Sequence, residues 1–328
     1  MISPPARVTL VVTNRNGMRH LEECFESIGR QTYRDFETVF VDNDSTDGSV
    51  EWVREHASGT VLIVHDVDTG WSGSANDGIR AAQGDYVVLL NNDVRLEPDW
   101  LESLVCAMDA HPEYDFGASL MIMYYEPDLT NAAGDTYSLR LVSGVQRGWA
   151  EPTKLFSESK RVLGACAGAA IYRRAFFEDV GLFDEEFYLT HEDTDLNLRA
   201  LIAGKRCLYI PNARIFHKIR SSGEQFRSDE LARLELRNRL IVVAKNLPLS
   251  VLWICLAVRG LAAMKNTFWL RPSEWRRIPS LVRSLPQRVS PEVEGLRMGW
   301  AKRREVWSKR LASHLTILRW LIRGVSDV

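Results

Sequence analysis

The chain has 328 residues, 45% hydrophobic and 26% charged, a globular composition that excludes a disordered or collagen-like protein. Its net charge of −2 conceals two unlike parts, because residues 259–328 hold 15 Lys/Arg against 5 Asp/Glu; an acidic body precedes a basic tail. The longest uncharged apolar stretch, 246–258, is shorter than the roughly 20 residues a spanning helix needs, and Met1 to Arg7 has two prolines and no apolar run, so neither a transmembrane helix nor a secretory signal is expected.

Arg7 to Thr13 is a β-branched apolar run and predicts a first strand. Asn16-Gly17 breaks it, and Leu21, Cys24, Phe25 and Ile28 recur at helical spacing. Phe36 to Val41 predicts the second strand, Val50 to Arg54 a short helix and Val61 to Val64 a third strand. Gly70 to Gly78 reads as a glycine-rich turn entering a helix at Ile79 to Gln83. Tyr86 to Leu90 is wholly apolar, as befits a strand buried on both faces. Trp100 to Ala110 is the next helix, with Pro98 near its start. This alternation implies an α/β fold with a parallel sheet and right-handed crossovers. Residues 115–175 show short apolar runs without a clear period, which suits an antiparallel excursion. Glu192 to Ala203 is a helix closed by Gly204, Arg206 to Ile210 a last strand, and the chain beyond Gln225 looks helical. The five cysteines, Cys24, Cys106, Cys166, Cys207 and Cys255, form no CxxC pair and lie in apolar surroundings. They read as buried thiols of a reducing compartment.

Carboxylates punctuate this pattern. A strand that ends in one delivers the charge to the carboxyl edge of the sheet, where α/β proteins bind ligands. Asp42 ends one apolar run, within Asp42-Asn43-Asp44-Ser45-Thr46-Asp47-Gly48, and could hydrogen-bond a base or ribose. Asn91-Asn92-Asp93 ends another, and oxygen donors there suit Mg²⁺ or Mn²⁺ held against a diphosphate. The cluster Gly70, Gly73 and Gly78, with Ser74 and Asn76, lets backbone approach an anion. It is neither a Walker loop nor a dinucleotide fingerprint. Glu192, Asp193 and Asp195 open a helix, whose dipole favours ionised carboxylates and would keep Asp193 ready to accept a proton. His217 offers a nitrogen ligand to the thin Asn/Asp set.

In this order and spacing these segments resemble the family 2 glycosyltransferases of the GT-A fold, over roughly residues 6–220. The resemblance is carried by Val8 to Asn14, Val41 to Ser49, Gly70 to Gly78, Leu89 to Asp93, Gly164 to Arg173, Glu192 to Arg199, and His217. It implies inverting transfer of a sugar from a nucleotide diphosphate. Thr13, Asn14, Asp42, Asp44, Gly70, Ser74, Asn76, Asn91 and Asn92 would bind the donor. Asp93, in the position of the family's DxD element, and His217 would hold the divalent metal, although Asn replaces the first Asp. Asp193 would be the catalytic base, oriented by Glu192, and Gly164, Ala165, Cys166 and Asp195 would face the acceptor. The text around Asp42 and Asp93 looks like the rhamnosyltransferase-like branch, so dTDP-rhamnose or a UDP-sugar is the expected donor. A glycan or lipid-linked glycan of cell-surface polysaccharide synthesis is the expected acceptor.

The resemblance implies a catalytic domain over 1–224, with a nucleotide-sugar half at about 1–113 and an acceptor half at about 114–224. A basic helical extension at 225–328 remains outside it. There Trp253, Trp269, Trp275, Trp300, Trp307 and Trp320 are interleaved with Arg and Lys. That pattern suits an anionic membrane surface or a homodimer contact, and no nucleic-acid module is present. The expected location is the cytoplasm, at the inner face of the cell membrane. Two rivals remain at this stage. A sugar nucleotidyltransferase would need a glycine-rich basic loop after the first strand, where 13–20 offers only Gly17. A non-catalytic carbohydrate-binding protein would not need four intact acid and histidine positions.

Overall fold

The computed structural model describes residues 5–139, 141, 143–219, 228–248, 294–303 and 305–307. In chain order its elements are β1 (Val8–Asn14), α1 (Met18–Gly29), β2 (Phe36–Asn43), α2 (Ser49–His56), β3 (Val61–His65), α3 (Gly70–Ala81), β4 (Tyr86–Asn91), β5 (Val94–Leu96), α4 (Trp100–Ala110), β6 (Phe116–Met123) and β7 (Glu126–Ala133). They continue with β8 (Asp135–Ser138), β9 (Ser143–Gln146), β10 (Lys160–Val162), β11 (Ala169–Arg173), α5 (Arg174–Val180), α6 (Glu192–Ile202), β12 (Cys207–His217) and α7 (Ser228–Asn246).

One mixed sheet of ten strands, ordered β10-β12-β6-β11-β4-β1-β2-β3, organises the molecule; β5 pairs with β12, and β7 with β6. Strands β1 to β4 are mutually parallel. Period-two alternation sends their side chains to two cores. Leu10, Val12, Val88 and Leu90 meet Leu21 and Cys24 of α1, Val53 of α2 and Trp100 of α4 on one face. Val11, Val39, Val87 and Leu89 meet Ala75 and Ile79 of α3 and Leu196 of α6 on the other. Each large apolar side chain so buried contributes about 1.5–3 kcal/mol. The continuous apolar runs in β1 and β4 have this cause: both faces are covered.

Three sequence expectations change. The segment Gly70 to Gly78 is no turn but the body of α3, which starts at Gly70. Its glycines serve close packing: a Cβ at Gly78 would collide with Val11 of β1, so helix and sheet approach more closely than any larger residue permits. Residues 115–175 hold a central strand as well as an antiparallel excursion. All eight residues of β6 are buried, and it runs parallel to β12 but antiparallel to β11. The predicted halves therefore share one sheet. The last strand does not stop at Ile210. Its register shifts between Ile210 and Arg214, across Pro211, and pairing then resumes to His217.

The cysteines also differ from expectation. Cys24 and Cys207 are buried, Cys166 is half-buried, and Cys106 is exposed on α4; Cys255 lies outside the described residues. Among the described residues no helix is long and apolar enough to cross a membrane. Of the tail tryptophans, Trp300 is exposed, whereas Trp307 donates to the Lys245 carbonyl at 3.1 Å. The other four lie outside the described residues, as do most of the positions on which a membrane or dimer contact was expected.

Candidate active site

The carboxyl ends of β4, β1 and β2 lie side by side, with Thr13 opposite Asn91 and Asn14 opposite Asp42. Their polar ends form one chain of hydrogen bonds. Asn92 Nδ2 donates to Asn14 Oδ1, and Asn14 Nδ2 donates to Asp42 Oδ2 at 2.7 Å. Asp42 Oδ1 accepts from the Ser45 amide at 3.0 Å. Asp42 is fully buried, so both oxygens are committed within the protein.

In front of this edge opens a cleft lined by residues that include Thr13, Asn14, Arg15, Asp68, Trp71 and Tyr188. Gly70, Ser74, Asn91 and Asn92 line it too. Arg15 pairs with Asp68 at 2.6 Å, and the Tyr188 hydroxyl donates to Asp68. Trp71 Nε1 donates to Asn91 Oδ1 at 3.1 Å. The Asn91 amide in turn donates to the Gly168 carbonyl at 2.9 Å, and a Cβ at Gly168 would sit 2.8 Å from the Asn91 side chain. The loop 164–168 thus rests directly on the β4 end. Arg15, Asp68, Trp71 and Tyr188 were not selected from the sequence; Asp68 before Gly70 was the one readable signal.

Three expected donor residues do not line this cleft: Asp42, buried with both oxygens already bonded, Asn76 and Asp44. Asn76 is buried and spans to another segment, donating to the Phe183 carbonyl at 3.0 Å and accepting from the Phe183 amide at 2.9 Å. Its amide is consumed in tying α3 to that segment. Asp44 is exposed, in the left-handed region at φ 57°, at the turn after β2.

The two residues expected to hold a metal are brought together by strand pairing. His217 stands opposite Val94 in the β12–β5 ladder, which brings its ring beside Asp93. His217 Nε2 is 3.3 Å from Asp93 Oδ1, and Asp93 is 1% exposed. His217 Nδ1 is hydrogen-bonded to Asn131 Oδ1 at 2.8 Å, which fixes the ring so that Nε2 faces a carboxylate oxygen. An imidazole nitrogen and a carboxylate held at that distance would fit a cation between them. No group of three His, Cys, Asp or Glu that could hold an ion occurs among the described residues, so an ion held by Asp93 and His217 would need further ligands from phosphate oxygens and water.

On the far side of loop 164–168, α6 begins with Glu192 and Asp193. Asp193 Oδ1 accepts from the Thr194 amide at 2.6 Å. The helix start was expected to keep Asp193 ionised. Instead, burial raises its pKa above the ordinary carboxylate value despite the Thr194 hydrogen bonds. Burial and the Asp193 charge push Glu192 up to about 8. A third carboxyl, Asp135 at the start of β8, is raised well above its usual range by burial and then by Asp193. Asp135 Oδ2 accepts from Asn197 Nδ2 at 3.2 Å, and its amide donates to the Gly164 carbonyl at 2.8 Å. The Ala165 amide donates to Asn197 Oδ1 at 3.2 Å, and Cys166 follows in the same loop. The expected base and the expected acceptor loop are therefore adjacent. Asp135 escaped sequence reading because it follows Gly134 in an otherwise uncharged run.

Asp195 does not face the acceptor. It is fully buried between α6 and α7, 2.8 Å from Arg199 Nε and 2.9 Å from Lys245 Nζ, and accepts from Asn246 Nδ2 at 2.7 Å. Burial opposes its ionisation, but Lys245, Arg199 and Asn246 bring its pKa down to about 2. A depressed pKa means that this stabilisation is complete above the unfolded carboxylate pKa and is lost as pH falls through about 2. Asp195→Ala at pH 7 should cost about 3–5 kcal/mol, because two cations lose their buried partner. Equilibrium urea unfolding measures it, and a loss below about 1 kcal/mol would show the pair to be a weak surface-type contact.

Residues 9–181 match the model of the family described as "Glycosyl transferase family 2". The chain belongs to that family. Among its relatives is a glycosyltransferase, GlyA, of Streptococcus pneumoniae, 25% identical over 227 residues that cover 65% of this chain and 31% of that protein. Another is the N-acetylglucosaminyl-diphospho-decaprenol L-rhamnosyltransferase of Mycobacterium tuberculosis, 26% identical over 234 residues covering 62% and 74%. The chain spans about a quarter to a third of the length of the first two curated relatives it matches. Among solved structures, S. aureus TarS 1-349 in complex with UDP superposes with a TM-score of 0.54 at 17% identity, covering 92% of this chain and 89% of that one. The Pyrobaculum calidifontis mannosyltransferase PcManGT, in complex with GDP-Man and Mn²⁺, gives 0.52 at 18% identity, covering 93% and 88%. The family 2 fold is thus GT-A: a mostly parallel sheet flanked by helices.

Proposed function

We propose that this family 2 chain transfers a sugar, with inversion, from a nucleotide-diphosphate donor to a hydroxyl of a glycan or lipid-linked glycan. The observation that carries the reading is the juxtaposition of three features at one sheet edge. The cleft lined by Asn14, Asn91 and Asn92 accepts the nucleotide. The Asp93–His217 pair stands at the same edge, and the α6 start lies across loop 164–168. The rhamnosyltransferase named among the relatives and the UDP complex of TarS support dTDP-rhamnose or a UDP-sugar as the first donors to test, and the GDP-Man complex of PcManGT adds GDP-sugars to the panel.

The chemistry follows from charge. Ionised Asp193 accepts the proton of the acceptor hydroxyl as its oxygen bonds to C1 of the donor sugar. The C1–oxygen bond to the diphosphate breaks, and its electron pair leaves with the diphosphate. Attack opposite the leaving group inverts C1, so no covalent enzyme intermediate is required. Asp93 and His217 would hold a divalent cation, which supplies charge neutralisation to the leaving diphosphate. Glu192, protonated by its burial, orients Asp193 without competing for the proton. The test is a panel of dTDP-, UDP- and GDP-sugars incubated with the full chain and Mn²⁺ or Mg²⁺. Nucleoside diphosphate should be released from one donor class; release from none, with no nucleotide binding by calorimetry, would end the proposal.

A further inference from the structure

The segment joining the donor cleft to α6 is held in an unusual backbone state. Tyr188, Thr190 and His191 all have positive φ, at 58°, 69° and 65°. Such conformations in non-glycine residues persist only where their surroundings over-determine them. On the cleft side, the Tyr188 carbonyl accepts from the Trp71 amide at 2.8 Å, in the first turn of α3, and Arg15 Nη1 donates to the Tyr188 hydroxyl at 3.2 Å. On the α6 side, His191 is the N-terminal cap, and its carbonyl accepts from the Asp195 amide at 2.9 Å.

The restraint comes from α7. Asn238 is fully buried, and the carbonyls of Phe187 (2.8 Å), Leu189 (2.8 Å) and Thr190 (2.9 Å) all lie within hydrogen-bond distance of its Nδ2, whose two N–H groups they share. Its neighbour Arg237 donates to the Glu186 carbonyl. One amide thus gathers three carbonyls that the twisted backbone turns inward and that no regular helix or strand would satisfy. Seven and eight residues further along, Lys245 and Asn246 hold Asp195 in the first turn of α6. Helix α7 therefore grips both the loop bearing Tyr188 and the helix bearing Asp193, although it lies beyond the residues 9–181 that match the family model.

We propose that Asn238 is a positioning residue of the transfer reaction, fixing Tyr188 against the donor cleft and the α6 start against the acceptor loop. The inference rests on the donor-cleft reading above. Asn238→Asp in the full chain keeps the side-chain shape but turns an acceptor toward the three carbonyls. Amides of 187–193 should then exchange hydrogen at least about tenfold faster while those of β1 and β4 are unchanged, the loop's local opening being separable from global unfolding. Affinity for UDP or dTDP should weaken, and turnover should fall about 100-fold, as expected when reacting groups are misplaced by a remote change. Asn238→Ser, which retains one donor, should lie between. Unchanged exchange over 187–193, or faster exchange with wild-type nucleotide affinity and turnover, overturns the proposal. If Asn238→Asp shows no cooperative unfolding transition, Asn238→Ser is judged by the same criteria. If the wild-type chain binds no nucleotide, the donor reading fails and the proposed role with it, whereas the exchange rates still report whether Asn238 holds the loop.

Discussion

Asp193→Asn is expected to lower sugar transfer by about 10²- to 10⁴-fold, the usual contribution of a general base, with nucleotide affinity essentially unchanged. The substitution keeps the Thr194 contact geometry and removes only the proton acceptor. The wild-type rate should fall on the acid side as Asp193 protonates. Because burial raises the Asp193 pKa, this limb should lie above the ordinary carboxylate range, and the variant should lack it. Glu192→Gln should be milder, since Glu192 is pushed up to about 8 and is already protonated at neutral pH. Rates of transfer across pH for the two variants decide the matter. A near wild-type Asp193→Asn beside a severely impaired Glu192→Gln would move the base by one residue.

Asp93→Ala is expected to abolish metal-stimulated turnover. Neutralising a leaving diphosphate contributes several kcal/mol to the transition state, so the loss should be on the order of 10²- to 10³-fold. Calorimetric titration of Mn²⁺ into the chain with UDP bound gives a readout independent of activity, and the variant should bind the ion weakly or not at all. Asn131→Ala should weaken Mn²⁺ by about 10- to 100-fold, because His217 Nδ1 then loses the hydrogen bond that fixes the ring. Full activity of Asp93→Ala in EDTA would remove the ion from the mechanism.

Much of this site was legible in the chain. The apolar runs of β1, β2 and β4 end at Asn14, Asp42 and Asn91, and a strand buried on both faces cannot carry charge until it reaches the sheet edge. Strand composition therefore pointed to the fold class and to the sheet-edge places of Asn14, Asp42 and Asn91. The acidic start of α6 was equally plain. Local pattern alone could not separate its three carboxylates, because a helix turns them to different directions. Asp195 faces α7 and binds two buried cations, while Glu192 and Asp193 remain beside loop 164–168.

Other features belong to the tertiary structure alone. The glycines of α3 resemble a loop when read along the chain; only the approach of α3 to Val11 shows that Gly78 serves helix–sheet packing. His217 meets Asp93 across more than 120 residues because β12 resumes after Pro211 and pairs with β5. The grip of Asn238 on the loop at 187–190 joins segments about 50 residues apart. Sequence sets periodicity and the chemistry at element ends, because these depend on neighbours within a few residues. It is silent on register and on which buried amide meets which carbonyl, because those depend on contacts between distant segments that form only when the sheet and its helices pack together.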